Sequence, residues 1–584
     1  MDTKNGENKK RSNLTIQMLL YIQFVSSMNM GIIPVTALAE GALGYTLMLI
    51  FFYVFLGIPL TYMESVVSQF NERDCVDVWK IRPFLSHIGY IVCGIQVLTL
   101  VCNHVLTSFT LHYFLITFES SIPYHECGPW SNRECNILDS NYSVNEDCVQ
   151  LSGVYNYCDY IYRSFPEYQY FRFHLLHYKL DEFYLAWRVC LASGIICAVM
   201  HFVCFKREAS LRYALPLLCG IPMLGLLLFV MGSMQQKGVL TMFASIIDSD
   251  FKTFAVNFRV SHLIQMVVHN LAIGTGLTFN LSSRFPFRTS CFSNSVICAC
   301  TCVVFSVLAI LNLVMVSCPY SYKFQMNITE ILKAPLVLTF DRYPRFLNLY
   351  YSKRIHLVIV YSTMATLGIG SNVAIFFNIL ETLFKRNEKV AAYPGLTCVV
   401  GCILLFLTSV PLLSAVGLLD IALHFRRHFI LTDTLIALIE CMVFVVWYGP
   451  NRFSEDIHFM LGIKPNFFMK FSWVVANGFL CYAYCVELNF QKENIFITGD
   501  AFYHNIFILL LIGLGVIGQI VVATFKKRFL KVFALDLQWG PKSEVLLRSR
   551  GMFSAQAMTK EYMYRQYHLQ AGIIEREKKS NVRV

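Results

Sequence analysis

Apolar residues run along this chain in long blocks, and the polar residues gather between the blocks. Twelve blocks are long enough to cross a bilayer as helices, because about 20 apolar residues in a helix match a hydrocarbon core. They lie near 15–38, 43–67, 87–117, 185–205, 211–233, 260–283, 290–316, 354–384, 393–415, 427–448, 467–488 and 503–525. The ninth and tenth are separated by a short stretch near Gly417 to His424. The pattern predicts an all-α, polytopic membrane protein with about 12 transmembrane helices. Met1 to Asn13 is polar and basic, and the apolar stretch behind it is too long for the core of a cleavable signal.

Charge in the connections sets an orientation. Arg73, Lys80 and Arg82 follow the second span, Lys206 and Arg207 the fourth, and Arg284 and Arg288 the sixth. Lys385, Arg386 and Lys389 follow the eighth, and Lys526, Lys527 and Arg528 the twelfth. All fall on the side of the basic N-terminus, which predicts both termini in the cytoplasm of a cell whose plasma membrane the chain spans. The expected division is a cytoplasmic N-terminus over 1–14, a twelve-helix domain over 15–525 and a cytoplasmic tail over 526–584. The opposite face carries a long acidic loop, 119–183, with cysteines at 127, 135, 148 and 158 and a glycosylation sequon at Asn141. A second sequon on that side begins at Asn327. Most of the 21 cysteines sit inside apolar spans as small apolar fillers.

Two spans are interrupted by polar residues, glycine or proline at mid-membrane depth: Ser26-Ser27-Met28-Asn29-Met30-Gly31-Ile32-Ile33-Pro34 in the first, and His269-Asn270-Leu271-Ala272-Ile273-Gly274-Thr275-Gly276 in the sixth. Backbone freed from helical hydrogen bonds is tolerated in a bilayer only where protein or a wet cavity satisfies it. Two breaks five spans apart are the pattern of an inverted-repeat transporter with a midplane site.

Composition narrows the class further. Of 584 residues, 56% are hydrophobic and 15% charged, where soluble chains carry about 25% charged. The 48 Lys+Arg exceed the 37 Asp+Glu by 11, but the cations are scattered among apolar runs, which argues against nucleic acid as a partner. His104, His262, His269 and His428 lack metal-ligand spacing, and no nucleotide loop or nucleophile elbow appears, so an enzyme is not expected. The expected partners are a small-molecule solute and the lipid bilayer, with a homo-oligomer left open.

Several motifs resemble the neurotransmitter:sodium symporters, solute carrier family six. Asn29 and Pro34, then Gly57-Ile58-Pro59-Leu60, Glu64 and Gln69-Phe70, are similar to the first two helices of that family. Glu440-Cys441, Trp447-Tyr448-Gly449, Arg452-Phe453, Asp456-Ile457 and Met460-Leu461-Gly462 resemble its tenth helix and the following loop, and Trp539-Gly540-Pro541 a tripeptide after its last. The resemblance covers about residues 15 to 545. It implies a LeuT-like five-plus-five inverted repeat with two added helices, alternating access, and symport of a small amino acid, neurotransmitter-like or related solute with Na+. It also implies a disulfide between Cys127 and Cys135.

Carried over residue by residue, the resemblance implies a substrate site of Ser26, Ser27, Met28, Asn103, Ile273, Gly274 and Thr275. It implies sodium ligands at Val25, Asn29, Asn270, Leu367 and Ser371. The departures are specific. Cys302 stands where the family has asparagine, and Gly370 where it has a carboxylate or threonine. Of the chloride positions Leu49, Cys302 and Ser306, only Ser306 keeps its type, which argues against Cl− dependence. Ser26 occupies the position where amine carriers have aspartate, so no carboxylate is expected to meet a substrate ammonium, against a monoamine. The gates lack their charges: Ile32 replaces an arginine, the helix-ten acid falls near Arg426, and Lys385 replaces an inner aspartate. These losses leave a second reading, a non-transporting, receptor-like or regulatory member of the same fold.

Overall fold

The computed structural model describes residues 28–133, 135, 165–176, 185–324, 338–414, 416–493, 495–527, 529–536 and 539–553. These form helices and their connections. The principal ones are α1 (Met28–Glu40), α2 (Ala42–Phe52), α3 (Ile58–Asn71), α4 (Ile88–Ile116), α5 (Trp187–Cys204), α6 (Glu208–Met234), α7 (Val239–Asn257), α8 (Val260–Asn270) and α9 (Leu277–Ser282). They continue with α10 (Cys291–Phe324), α11 (Lys353–Arg386), α12 (Pro394–Ser414), α13 (Val416–Cys441), α14 (Pro450–Leu461), α15 (Phe467–Glu493) and α16 (Ile495–Phe525). Ten stretches of the described residues are long and apolar enough to cross a membrane, and the chain is a multi-pass membrane protein.

In lipid, outward apolar residues are ordinary, so the polar side chains mark the interior. Along α2 and the π-helical turn that follows it, Leu47, Phe51 and Val54 face outward while Tyr45, Leu49 and Phe52 are buried. Every residue of α3 from Pro59 to Asn71 is buried, Glu64, Ser68, Gln69 and Asn71 included. Gln69 uses its amide to hold the loop after α9, donating to the carbonyls of Pro286, Phe287 and Thr289 at 2.9, 3.1 and 2.9 Å. The most buried spans stand at the centre. Within the span Lys353–Arg386 the apolar window is 72% buried, against 11% within Phe502–Phe525, which therefore lies at the periphery. The central helix α11 packs most extensively on α4 and α6.

Several elements differ from the pattern of the sequence. The stretch near Gly417 to His424, expected as a connection, is helical backbone at the start of α13. α7 and α14 fall in segments expected as loops. Both mix apolar and polar residues too finely for a transmembrane window, and α14 buries Phe453, Asp456, Ile457 and Met460 along one side. The sixth span is two helices, α8 and α9, neither long enough to cross alone. Of the first span, only 28–40 is described, so Val25, Ser26 and Ser27 lie outside the described residues, as do Asn141 and Asn327. Cys127 and Cys135 are joined, with Cα atoms 6.0 Å apart.

Motif residues in the tenth span act as a brace. The helix widens into a π turn over Met442–Trp447 before Gly449 turns the chain at φ +98°. Beyond that turn, the Tyr448 hydroxyl donates to Asp456 Oδ2 at 2.5 Å, and Arg550 Nε donates to Asp456 Oδ1 at 2.5 Å. Trp539 stacks on Phe444 at 6.1 Å with Arg73 over its ring. The chain after the last span is thereby fixed to the end of the tenth.

Candidate functional site

The sixth span breaks because three residues in five take positive φ: Ala272 (+51°), Gly274 (+79°) and Gly276 (+77°). The two glycines also allow contact that a side chain would forbid. A Cβ on Gly274 would lie 2.5 Å from the Asp433 carbonyl oxygen, and one on Gly276 would lie 2.8 Å from Cys75 Cβ. The freed backbone groups find partners in the protein. Gly274 N–H donates to Glu64 Oε1 at 2.8 Å, and the Thr275 carbonyl accepts from Gln96 Nε2. Glu440 is fully buried beside Glu64, so two carboxyls sit together under the break.

A cavity of about 60 Å³ opens against this break. Val92, Ile95, Gln96, Thr99 and Asn103 of α4 line it, with His269, Ala272, Gly274, Thr275 and Leu277 around the break, Ser371 and Ile375 of α11, and Asp433 of α13. Asn103 Nδ2 lies 3.4 Å from Ser371 Oγ, bridging α4 and α11. Of the residues expected at the substrate site, Asn103, Gly274 and Thr275 border the cavity; Ile273 is packed in the core instead. Met28 and Asn29 begin α1, and Ser26 and Ser27 precede the described residues.

The cavity also holds a carboxylate that sequence reading did not anticipate. Asp433 reaches from α13, and its Oδ2 lies 2.5 Å from His269 Nδ1. Asp433 is buried, with 4% of its side chain exposed, and His269 is partly buried at 13%. The expectation that no acid stands by to meet an ammonium is thus corrected: it considered only the helix-one position, Ser26, and this acid comes from another helix. In the sequence, His269 stands out only as part of the break and as a histidine without metal-ligand spacing. The only sequence signal for Asp433 was an acid within an apolar run, which is by itself a marker of function in a membrane span.

Whether sodium fits can be judged from the oxygen atoms present. Asn270 is the last residue of α8, at the break. Its Nδ2 donates to the Tyr53 hydroxyl and lies 3.4 Å from Ser306 Oγ, which leaves Oδ1 buried and without a hydrogen-bond partner. An orphaned carbonyl oxygen beside freed backbone is the hard donor a small cation needs. Against it, Cys302 brings a thiol 3.9 Å from the Asn270 carbonyl oxygen, a soft atom where oxygen would serve better. On α11, Ser371 Oγ faces the cavity, Leu367 is buried and Gly370 has no side chain to offer. Among the described residues no group of three or more His, Cys, Asp or Glu side chains is arranged to hold a metal ion.

Comparison with known proteins places this geometry. The family model of the sodium:neurotransmitter symporters matches residues 21–531. The human sodium- and chloride-dependent neutral and basic amino acid transporter B(0+) is 25% identical over 520 residues, covering 82% of this chain and 78% of its own. The sodium- and chloride-dependent glycine transporter 1 of Xenopus laevis is 21% identical over 492 residues, 81% and 77% of the two chains. The sodium-dependent dopamine transporter of Bos taurus is 22% identical over 476 residues, 78% and 65%. These are transporters, not enzymes. A break in the sixth span, a cavity beside it lined by Asn103, Ser371, His269 and Asp433 among others, and a family match over most of the length agree, and the chain is a divergent member of the sodium:neurotransmitter symporter family.

Proposed function

We propose that this protein is a secondary transporter that carries a small amino acid, a neurotransmitter-like amine or a related solute across the plasma membrane. The observation that carries the reading is the broken sixth span with its cavity. Backbone with three positive φ values within a span is tolerated where protein or a wet cavity satisfies it, and such breaks in transporters line the binding site. Transport proceeds by alternating access: α8 and α9 meet at the cavity, and rocking of the elements around it would expose that cavity first to one side and then to the other.

Chemistry at the cavity favours a solute with a cationic nitrogen. Asp433 supplies the carboxylate, His269 holds that carboxylate by one oxygen, and Asn103, Thr99 and Gln96 supply neutral hydrogen-bonding groups. The human relative, named as a neutral and basic amino acid transporter, points the same way. Sodium is the driving ion in this reading, held at the partial site around Asn270 Oδ1 and, from outside the described residues, by the first span. The face bearing the basic loops is cytoplasmic, and the opposite face carries the Cys127–Cys135 bridge and glycans at Asn141 and Asn327.

The test is uptake of a labelled panel of amino acids and amines by cells expressing the full chain, with sodium present or replaced by choline. Sodium-dependent accumulation of a member with a basic nitrogen is the expected result. Protein at the surface with neither accumulation nor evoked current across the panel would overturn the proposal in favour of a non-transporting, receptor-like member.

A further inference from the structure

Ion pairs on the basic face converge on one carboxylate. Glu381, near the end of α11, has a side chain only 4% exposed. Arg207 reaches it from the turn between α5 and α6, with Nε donating to Oε1 at 2.8 Å and Nη2 to Oε2 at 2.6 Å. Arg284, two residues past α9, donates from Nη2 to Oε2 at 2.5 Å and from Nη1 to Glu208 Oε1 at 3.0 Å. Two acids and two guanidiniums therefore form a charge-balanced quartet. Each guanidinium also lies over a ring of α11, Arg207 over Phe384 and Arg284 over Phe377, both at 5.2 Å. Arg207 takes φ +53°, a conformation unfavourable for a residue with a Cβ, and strain of this kind persists where surroundings hold it for a purpose.

The quartet has a definite place relative to the cavity. Leu277 of α9 and Ser371 and Ile375 of α11 are cavity walls. From there toward the basic face, Asn378 Nδ2 donates to Gln96 Oε1 at 3.0 Å, Asn280 Nδ2 to Thr382 Oγ1 at 2.7 Å, and Lys385 Nζ to Ser283 Oγ at 3.3 Å. The last two are rungs across the α9–α11 seam, and Arg284–Glu381 crosses the same seam. The resemblance to the family put the inner-gate acid at the position of Lys385. Here the acid stands one helical turn earlier and is met from two other elements.

We propose that Glu381 is the latch of the cytoplasmic gate, a positioning residue that keeps the α9–α11 seam shut through Arg284 and Arg207. For the cavity to open on the basic face, α9 must part from α11, and the charged contact across that seam is Arg284 Nη2 on Glu381 Oε2, a carboxylate that Arg207 holds by both oxygens from the α5–α6 turn. The quartet thus sets how often the seam opens. The inference rests on the transport reading for its purpose, but not for its measurement.

Cys75 is a native reporter. It is fully buried, its N–H donates to Asn280 Oδ1 at 3.1 Å, and its Sγ lies 3.8 Å from Thr382 Oγ1, on the middle rung of the seam. Its alkylation by N-ethylmaleimide in the reconstituted full chain, read peptide by peptide by mass spectrometry, reports parting of the seam. Cys300, exposed on α10, is the control. Glu381→Gln and Arg284→Gln should each speed alkylation of Cys75 about tenfold and leave Cys300 unchanged. The double variant should be no faster than Glu381→Gln, because the two changes break one interaction. Where Glu381→Gln does not reach the membrane, Arg207→Gln, at the half-exposed arm, carries the test with a several-fold increase. An unchanged rate at Cys75, or an equal rise at Cys300, overturns the latch. A wild-type chain that gates in this way but accumulates no solute would sink the transport reading and leave the latch standing.

Discussion

The two halves of the broken sixth span are tied down by different chemistry. At the end of α8, a single pair, partly buried His269 with buried Asp433, meets the cavity. Past α9, a quartet of two arginines and two glutamates closes the basic face, with Arg207 half-exposed and Glu381 buried. The first can present charge to a solute because few groups compete for it. The second has every charge matched within the protein and holds elements together. A charged pair removed from one end of a carrier can be replaced by another on different helices, because what alternating access needs is an attraction across a seam, not a fixed residue number.

The largest expected effect lies between the two ends. Gly274→Ala puts a Cβ 2.5 Å from the Asp433 backbone oxygen at a φ of +79°, so the break cannot keep its shape. Uptake should fall by roughly a hundredfold or more, a loss of about 3 kcal/mol in transition-state terms. Substitution at Gly449, also at positive φ but with open space around its Cβ position, should do far less harm. Equal losses at the two glycines would mean that the close approach to α13 does not matter. Next comes Asp433→Asn. A hydrogen bond to a charged group contributes about 1.5–3 kcal/mol, so apparent affinity for a cationic solute should weaken roughly tenfold to a hundredfold. Uptake of an uncharged analogue should change little. If both solutes lose affinity alike, Asp433 shapes the cavity rather than meeting charge, and the contrast between the two ends disappears.

Cys302→Asn sharpens the ion side of the same comparison. The thiol lies near the Asn270 carbonyl in a fully buried position, and an amide oxygen there would add a hard donor beside the orphaned Asn270 Oδ1. Half-saturating sodium in the uptake assay should fall roughly threefold to tenfold. No change would place the sodium site away from Asn270.

Much of this organisation was legible in the chain, for physical reasons that also explain what was not. The spans could be read because a bilayer demands long apolar runs, and the break because Gly274-Thr275-Gly276 cannot remain helical at little cost. The Asn103–Ser371 bridge joins two positions that the family resemblance had marked separately. The functional charges were hidden because each depends on a partner more than 150 residues away: His269 from Asp433, Arg207 from Glu381. Local pattern carries no record of such pairs. Lys385 was read as a lost gate charge, yet the acid one turn earlier, Glu381, does the pairing. α7 and α14 escaped notice because a window tuned to apolar runs passes over amphipathic helices.

The smallest expected effect tests a buried ion cluster on the face opposite the quartet. Arg345 is 2% exposed and pairs with Asp341, and Glu167 Oε2 stands 4.0 Å from its Nε. Arg345 thus stands between two acids, and burial pushes the Glu167 carboxyl up to about 7 from 4.5. Below about pH 4.5 the acid is protonated whether the loop is folded or not; between there and about 7 it ionises only when unfolded. Each step up through that window therefore favours the unfolded loop, and the contribution to stability is gone above about 7. Protection of residues 165–176 against hydrogen exchange, corrected for the intrinsic rate, should fall across this range in the wild type and stay flat in Glu167→Gln. A slope that persists in the variant would assign the titration to Asp341 instead.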